Sequence, residues 1–256
     1  MTEPVLIEVC VDSVASALAA QHGGARRIEL CSDLLEGGVT ASLGLLAVVR
    51  SQVSIGLHPI IRPRPGDFCY SDAEFDIMKR DIELAKSEGA DGVVLGILKS
   101  NGRVDIERTR ALIELARPLS VTFHRAFDVS ANLLESFEDV CATGADRLLT
   151  SGGEQECFEG VDTVARLVQA SRGRVVIMAG GRIGIKNASH IVERTGVSEI
   201  HVGLATPVNG TNLHKNSRRL SLGKAQDREF QRTEVREESV RDLVRAISSR
   251  ARANAE

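Results

Sequence analysis

Eight short apolar runs punctuate the chain, and a segment with helix signals follows each of them. The runs are VLIEVCV (5–11), RIELCS (27–32), GLHPIIRP (56–63), GVVLGIL (92–98), LSVTFHRAF (119–127), RLLTSG (147–152), VVIMAGG (175–181) and EIHVG (199–203). Many place β-branched residues at four to seven positions, as strands of a buried parallel sheet do. Asp12 stands where an N-cap is wanted, and Ser71 with Glu74 three residues on reads as a capping box. Gly23, Gly89, Gly144 and Gly196 follow helical segments, and GARRIEL, GADGVVL, GADRLLT and the weaker GVSEIHV read as one helix-stop-and-strand unit reused. Eight strand–helix units in 256 residues predict an α/β fold, a single (β/α)8 TIM barrel spanning 1–256. A doubly wound open sheet fits less well, because no G-x-G-x-x-G follows the first strand. Residues 204–232 break the rhythm. They read as a long polar loop before a last helix over 233–252, either solvated or forming a lid or oligomer contact on the functional face.

With 43% apolar residues the chain can fill such a core, although it has no Trp and one Tyr. Its 32 basic and 35 acidic residues argue against nucleic acid or a membrane surface as partner. The start, MTEPVLIEVC, lacks signal-peptide features, which predicts a soluble cytoplasmic protein. Five cysteines, an odd count, argue against a disulfide framework, and no Cys-x-x-Cys pair suggests structural zinc.

Strand side chains alternate with a period of two, so Glu8 shares a face with Cys10, and Glu29 with Cys31. A charged carboxylate facing the apolar helix layer is costly, so both Glu-x-Cys pairs are expected to line the barrel interior. The cysteines then lie nearer the C-terminal mouth, where this fold keeps its functional sites. Neighbouring strands about 4.8 Å apart would bring the two thiols together. Arg62, Arg64 and His124, on strands ending at the same mouth, are the expected partners of the two acids. TSGG (150–153) and AGGRI (179–183) end strands six and seven. Gly152, Gly180 and Gly181 either cradle a phosphate on backbone N–H groups or simply turn the chain. Parity does not decide whether His201 faces the pocket. Cys69 is a third thiol on the functional side. Cys141 reads as a small buried residue, and Cys157 has no assigned role.

The runs IEVCVDS, RIELCS with EGGVT, HPIIRPRPGDFCYSD, VTFHRAFD, LLTSGG and IMAGG, in this order, resemble the copper homeostasis protein CutC family from about residue 5 to the last helix. One departure is Pro65 in RPRPGDF, where the family has RPRGGDF. The resemblance implies a (β/α)8 barrel, a cytoplasmic location, homo-oligomers, and Cu(I) bound by Cys10 and Cys31 in copper handling. Chemistry weighs both ways. Soft Cu(I) prefers paired thiolates, and Arg62 or Arg64 would favour thiolate, while Glu8 and Glu29 oppose it. Both cysteines also suit the bland role of small pocket-wall residues. An enzyme is the alternative, acting on a small anionic or sugar-like, possibly phosphorylated, metabolite. Glu8 or Glu29 would then be general acid or base, Arg62 and Arg64 would hold the anion, and His124 would move a proton. A divalent metal on Glu8, Glu29 and His124 has no diagnostic spacing, and no organic cofactor is evident.

Overall fold

The computed structural model describes residues 4–210 and 231–253. Eight parallel strands form the inner wall: β1 (Leu6–Val11), β2 (Arg27–Leu30), β3 (Gly56–Pro59), β4 (Gly92–Leu95), β5 (Ser120–Phe123), β6 (Arg147–Thr150), β7 (Val176–Gly180) and β8 (Glu199–Val202). Their order is β3-β2-β1-β8-β7-β6-β5-β4. The two ends of that order meet, because Ile61 N–H donates to Val94 O at 2.7 Å and Asp91 N–H to Leu57 O at 3.0 Å. The wall is thus a nearly closed barrel.

Among the described residues eight α-helices surround it: α1 (Val14–His22), α2 (Leu43–Gln52), α3 (Asp72–Ser87), α4 (Ile106–Ala116), α5 (Leu133–Thr143), α6 (Val161–Ser171), α7 (Ala188–Thr195) and α8 (Glu237–Ala253). Outward residues of the strands, such as Val9, Ile28, Leu57 and Val121, join the helices in one apolar core. Inward residues follow the opposite parity and are largely polar. Cys10, Cys31, Ile60 and Val94 form a small apolar cluster of their own inside the wall. The inward edge of β4 is kept small for a steric reason. A Cβ at Gly92 would meet the His58 ring at 2.5 Å, and one at Gly96 would meet the His124 ring at 2.6 Å.

Helix α3 begins with the expected capping box of Ser71 and Glu74. Helix α1 is capped by Ser13 rather than Asp12. β3 stops at Pro59, short of the expected Pro63, and no regular strand carries Arg64 along the barrel. Beyond it, Pro63 and Pro65 lack N–H groups and restrict the residues before them, so the chain does not resume a ladder there. The ends of the expected 204–232 loop are not loop. β9 (Ala205–Asn209) and β10 (Gln231–Val235) pair antiparallel, and Val235 N–H donates to Ser16 Oγ at 3.1 Å, which ties the ribbon to α1. The remainder of that segment, 211–230, lies outside the described residues. Helix α8 begins at Glu237 rather than near 233.

Charge crosses the N-terminal half of the barrel interior. Arg27 Nε donates to Glu8, and its Nη2 reaches Glu199 Oε2 at 2.5 Å. Arg147 Nε meets the same Glu199 oxygen at 2.6 Å. All four lie largely out of water, so each charge depends on the others. The replacement Arg27→Met is expected to destabilise the fold by about 3–5 kcal/mol, because it strands Glu8 in the interior. Urea unfolding measures this, and an unchanged midpoint would refute the dependence.

Candidate functional site

Above this charge layer the two Glu-x-Cys strands meet. The β1–β2 register places Cys10 beside Glu29 and Val11 beside Leu30, with Cys31 one residue further on. The two Sγ atoms are 3.2 Å apart, and the Cys10 thiol donates to Glu29 Oε2 at 3.2 Å. Cys31 is fully enclosed, while Cys10 is 8% exposed and lines a cavity at the barrel mouth. Gly38 closes over the pair. Its φ of +88° suits glycine, and a Cβ there would press on Cys31 Cβ at 3.3 Å. Among the described residues, Cys10, Glu29 and Cys31 alone group three potential metal-ligand side chains, with ligand atoms within 4.8 Å of one another.

The partners of the acids differ from those the sequence led us to expect. Glu8 pairs with Arg27 and with His201, whose Nδ1 is 2.7 Å from Glu8 Oε1. His201 Nε2 is 3.8 Å from Glu29 Oε2, so the ring stands between the two carboxylates. Burial alone would raise Glu8, but Arg27 and His201 hold it well below the usual carboxylate range. Burial and the charge of Glu8 push Glu29 up instead. Burial would lower His201, yet Glu29 and Glu8 raise it. The bond to Cys31, burial and Glu29 push the Cys10 thiol up. The expected lowering of a thiol by Arg62 or Arg64 is therefore not found at Cys10.

Arg62 faces the cavity without meeting a carboxylate among the described residues. Its Nη1 donates to Glu36 O at 2.7 Å and Gly38 O at 2.8 Å, and its Nη2 to Gly66 O at 2.9 Å. Arg64 leaves the mouth altogether, turning to Glu74 at 2.5 Å and Asp67 at 3.0 Å. Those two acids capture it on the irregular segment beyond β3. Cys69 lies on the same loop, and its carbonyl accepts from Arg64 at 2.9 Å, away from the thiol pair.

His124 lines the cavity. Its Nδ1 accepts from Ala126 N–H at 3.2 Å, and burial with the nearby Arg62 pushes its pKa down to about 3. The ring is therefore neutral with its proton on Nε2, which has no hydrogen-bond partner among the described residues.

The glycine-rich strand ends divide. Asp128 occupies the TSGG turn with its own carboxylate, which accepts from Ser151 N–H at 3.0 Å and Gly153 N–H at 3.1 Å. Gly152 N–H goes to Thr150 Oγ1 at 2.8 Å. Gly180 packs against Leu149, while Gly181 lines the cavity. Sequence reasoning gave Asp128, Arg125 and Arg182 no place on the wall of this cavity of about 600 Å³, and left open the side taken by His201, which also lines it. It also missed Arg27, although Arg27 shares the parity of Glu29 and Cys31, and His201 that of Glu199.

Fold and site together define a (β/α)8-barrel protein with a buried thiol pair and carboxylate at its C-terminal mouth. The chain belongs to the CutC family, whose model matches residues 5–206. It is 50% identical over 196 residues to the copper homeostasis protein cutC homolog of Mus musculus, covering 77% of this chain and 72% of that one. A CutC family protein of Chromobacterium violaceum is 43% identical over 242 residues, covering 94% of this chain and 98% of the relative. The crystal structure of a CutC protein from Streptococcus agalactiae superposes with a TM-score of 0.73 at 32% identity, covering 77% of this chain and 97% of that one. The family is one of copper homeostasis.

Two neutral histidines inside the barrel give a pH signature. Burial lowers His58 to about 4 and His124 to about 3. The unfolded chain protonates both near pH 6.5, while the folded chain does not, so their contribution to stability is lost as pH falls from there toward 4. The replacements His58→Gln and His124→Asn should each flatten the fall in unfolding free energy, by up to about 1.4 kcal/mol per pH unit between pH 6 and 4. Urea unfolding across that range decides it, and slopes equal to wild type would contradict buried neutral rings.

Proposed function

We propose that the chain binds Cu(I) through Cys10 and Cys31, with Glu29 beside them, and serves to hold or hand on the ion in copper homeostasis. The observation that carries this is the sulfur pair, 3.2 Å apart, with Cys10 on the wall of the cavity and Cys31 enclosed behind it. Cu(I) is soft and favours thiolates in low coordination number, which two sulfurs on adjacent strands provide. Glu29 Oε2 stands 3.2 Å from Cys10 Sγ, close enough to orient that sulfur and to offer a third, harder ligand atom. His201 stands 3.8 Å behind Glu29 and supports its charge, as groups behind metal ligands do. Membership in the CutC family supports the same reading. We place the activity in the cytoplasm. All five cysteines are free, which suits a compartment that keeps thiols reduced.

An anaerobic competition titration against a Cu(I) chelator tests the proposal. Wild type should hold one Cu(I) tightly, and Cys10→Ser or Cys31→Ser should abolish that tight binding. Glu29→Gln should weaken it by roughly 10- to 100-fold, the range for residues that orient a ligand. Affinity indifferent to both cysteine replacements would remove the sulfur pair from the site.

A further inference from the structure

The cavity is far larger than a metal ion needs, and one wall is wrong for a cation. Arg62 is 5% exposed and meets no carboxylate among the described residues. Three carbonyl oxygens, the neutral hydroxyl of Tyr70 and the face of Phe68, 5.0 Å from its guanidinium carbon, surround that charge without neutralising it. Buried charges are ordinarily paired, so this cation is left to be answered by something in the cavity. Beside it His124 is buried, with an Nε2–H that meets no acceptor among the described residues. Arg62 Nε is likewise buried and, among the described residues, has no partner at good hydrogen-bond geometry. The Phe68 ring lies against both groups, its centroid 5.0 Å from that of His124.

On another part of the wall, Arg125 is held rigidly. Its Nε donates to Asp128 at 2.7 Å, and its Nη2 to Ser151 Oγ at 2.7 Å and Glu154 O at 3.0 Å. Its Nη1 is directed past Gly181, where an added Cβ would stand 3.5 Å from it. A guanidinium fixed on two edges and free on the third is prepared for an anionic oxygen. Between these donors, Phe68, Val129 and Leu149 supply apolar surface. A mostly apolar cavity with a few convergent donors is the common form of a metabolite site.

We propose that this cavity binds a small organic anion, recognised through a carboxylate or phosphate oxygen by Arg62, His124 and Arg125, with its apolar body against Phe68, Val129 and Leu149. Because the His124 Nε2–H is buried, its bond to the anion requires a small shift of the side chains around it. The site adjoins the thiol pair, but the inference does not rest on copper binding. It holds or fails on the copper-free protein.

The experiment is calorimetric titration of the copper-free full chain, separately with inorganic phosphate, with succinate, and with neutral succinamide. Saturable binding of phosphate or succinate, without binding of succinamide, is expected. Saturation by phosphate alone assigns a phosphate-bearing ligand, and by succinate alone a carboxylate. Asparagine in His124→Asn still offers an acceptor to Ala126 N–H while removing the Nε2–H. That variant and Arg125→Met should each weaken binding roughly tenfold or more, the effect of losing a hydrogen bond to a charged group. Arg80→Met, on the outer surface of α3, serves as the control for lost charge and should bind as wild type does. Thermal melts establish that each variant is folded. Failure of both anions to saturate, equal binding of succinamide, or binding unchanged in both His124→Asn and Arg125→Met would overturn the proposal.

Discussion

A carboxylate in the middle of a barrel has to be answered by a cation, and Glu8 is answered by Arg27. That pairing organises the interior. Arg27 spans from β2 to Glu8 on β1 and Glu199 on β8, and Arg147 ties β6 to the same Glu199. Four charges thus connect four of the eight strands. Because Glu8 faces inward, the period of two places Cys10 inward one layer higher, and Arg27 does the same for Glu29 and Cys31. The thiol pair therefore stands on a foundation of ion pairs, which fixes the register of the strands that carry it.

The layers have distinct chemistry because burial acts on different neighbours. Near Arg27 a buried acid stays ionised, whereas Glu29, one layer up and near the charge of Glu8, is pushed toward protonation. His201 mediates between them and is drawn toward its charged form by both. His124, on the side near Arg62, is driven the other way and remains a neutral donor. One mouth thus presents a sulfur-and-oxygen face suited to a soft cation and a separate nitrogen-donor face suited to an anion.

Much of this was legible in the sequence. The eight apolar runs predicted the eight strands, and parity with the cost of burying charge placed Glu8, Cys10, Glu29 and Cys31 inside. What escaped had several physical causes, register between strands among them. Arg27 looked like part of a repeated turn, GARRIEL, yet the parity rule applied to Glu29 turns it inward as well. His201 needed its pairing to Glu8 across β1 and β8, which no local pattern contains. Arg64 was misplaced because strand parity was carried past Pro63, where the backbone no longer alternates. The TSGG turn suggested a phosphate cradle. It took the tertiary fold to bring Asp128 into it from 22 residues earlier in the chain than Thr150. The ribbon of β9 and β10 carried no turn or alternation signal that a polar loop lacks.

X-ray absorption at the copper edge of the Cu(I)-loaded protein tests the central claim most directly, because it reads the atoms bound to the metal. The account predicts a first shell containing two sulfur atoms, reduced to one by Cys10→Ser or by Cys31→Ser, with any light-atom scatterer lost in Glu29→Gln. A first shell of nitrogen and oxygen without sulfur, or one unchanged by both cysteine replacements, would contradict it.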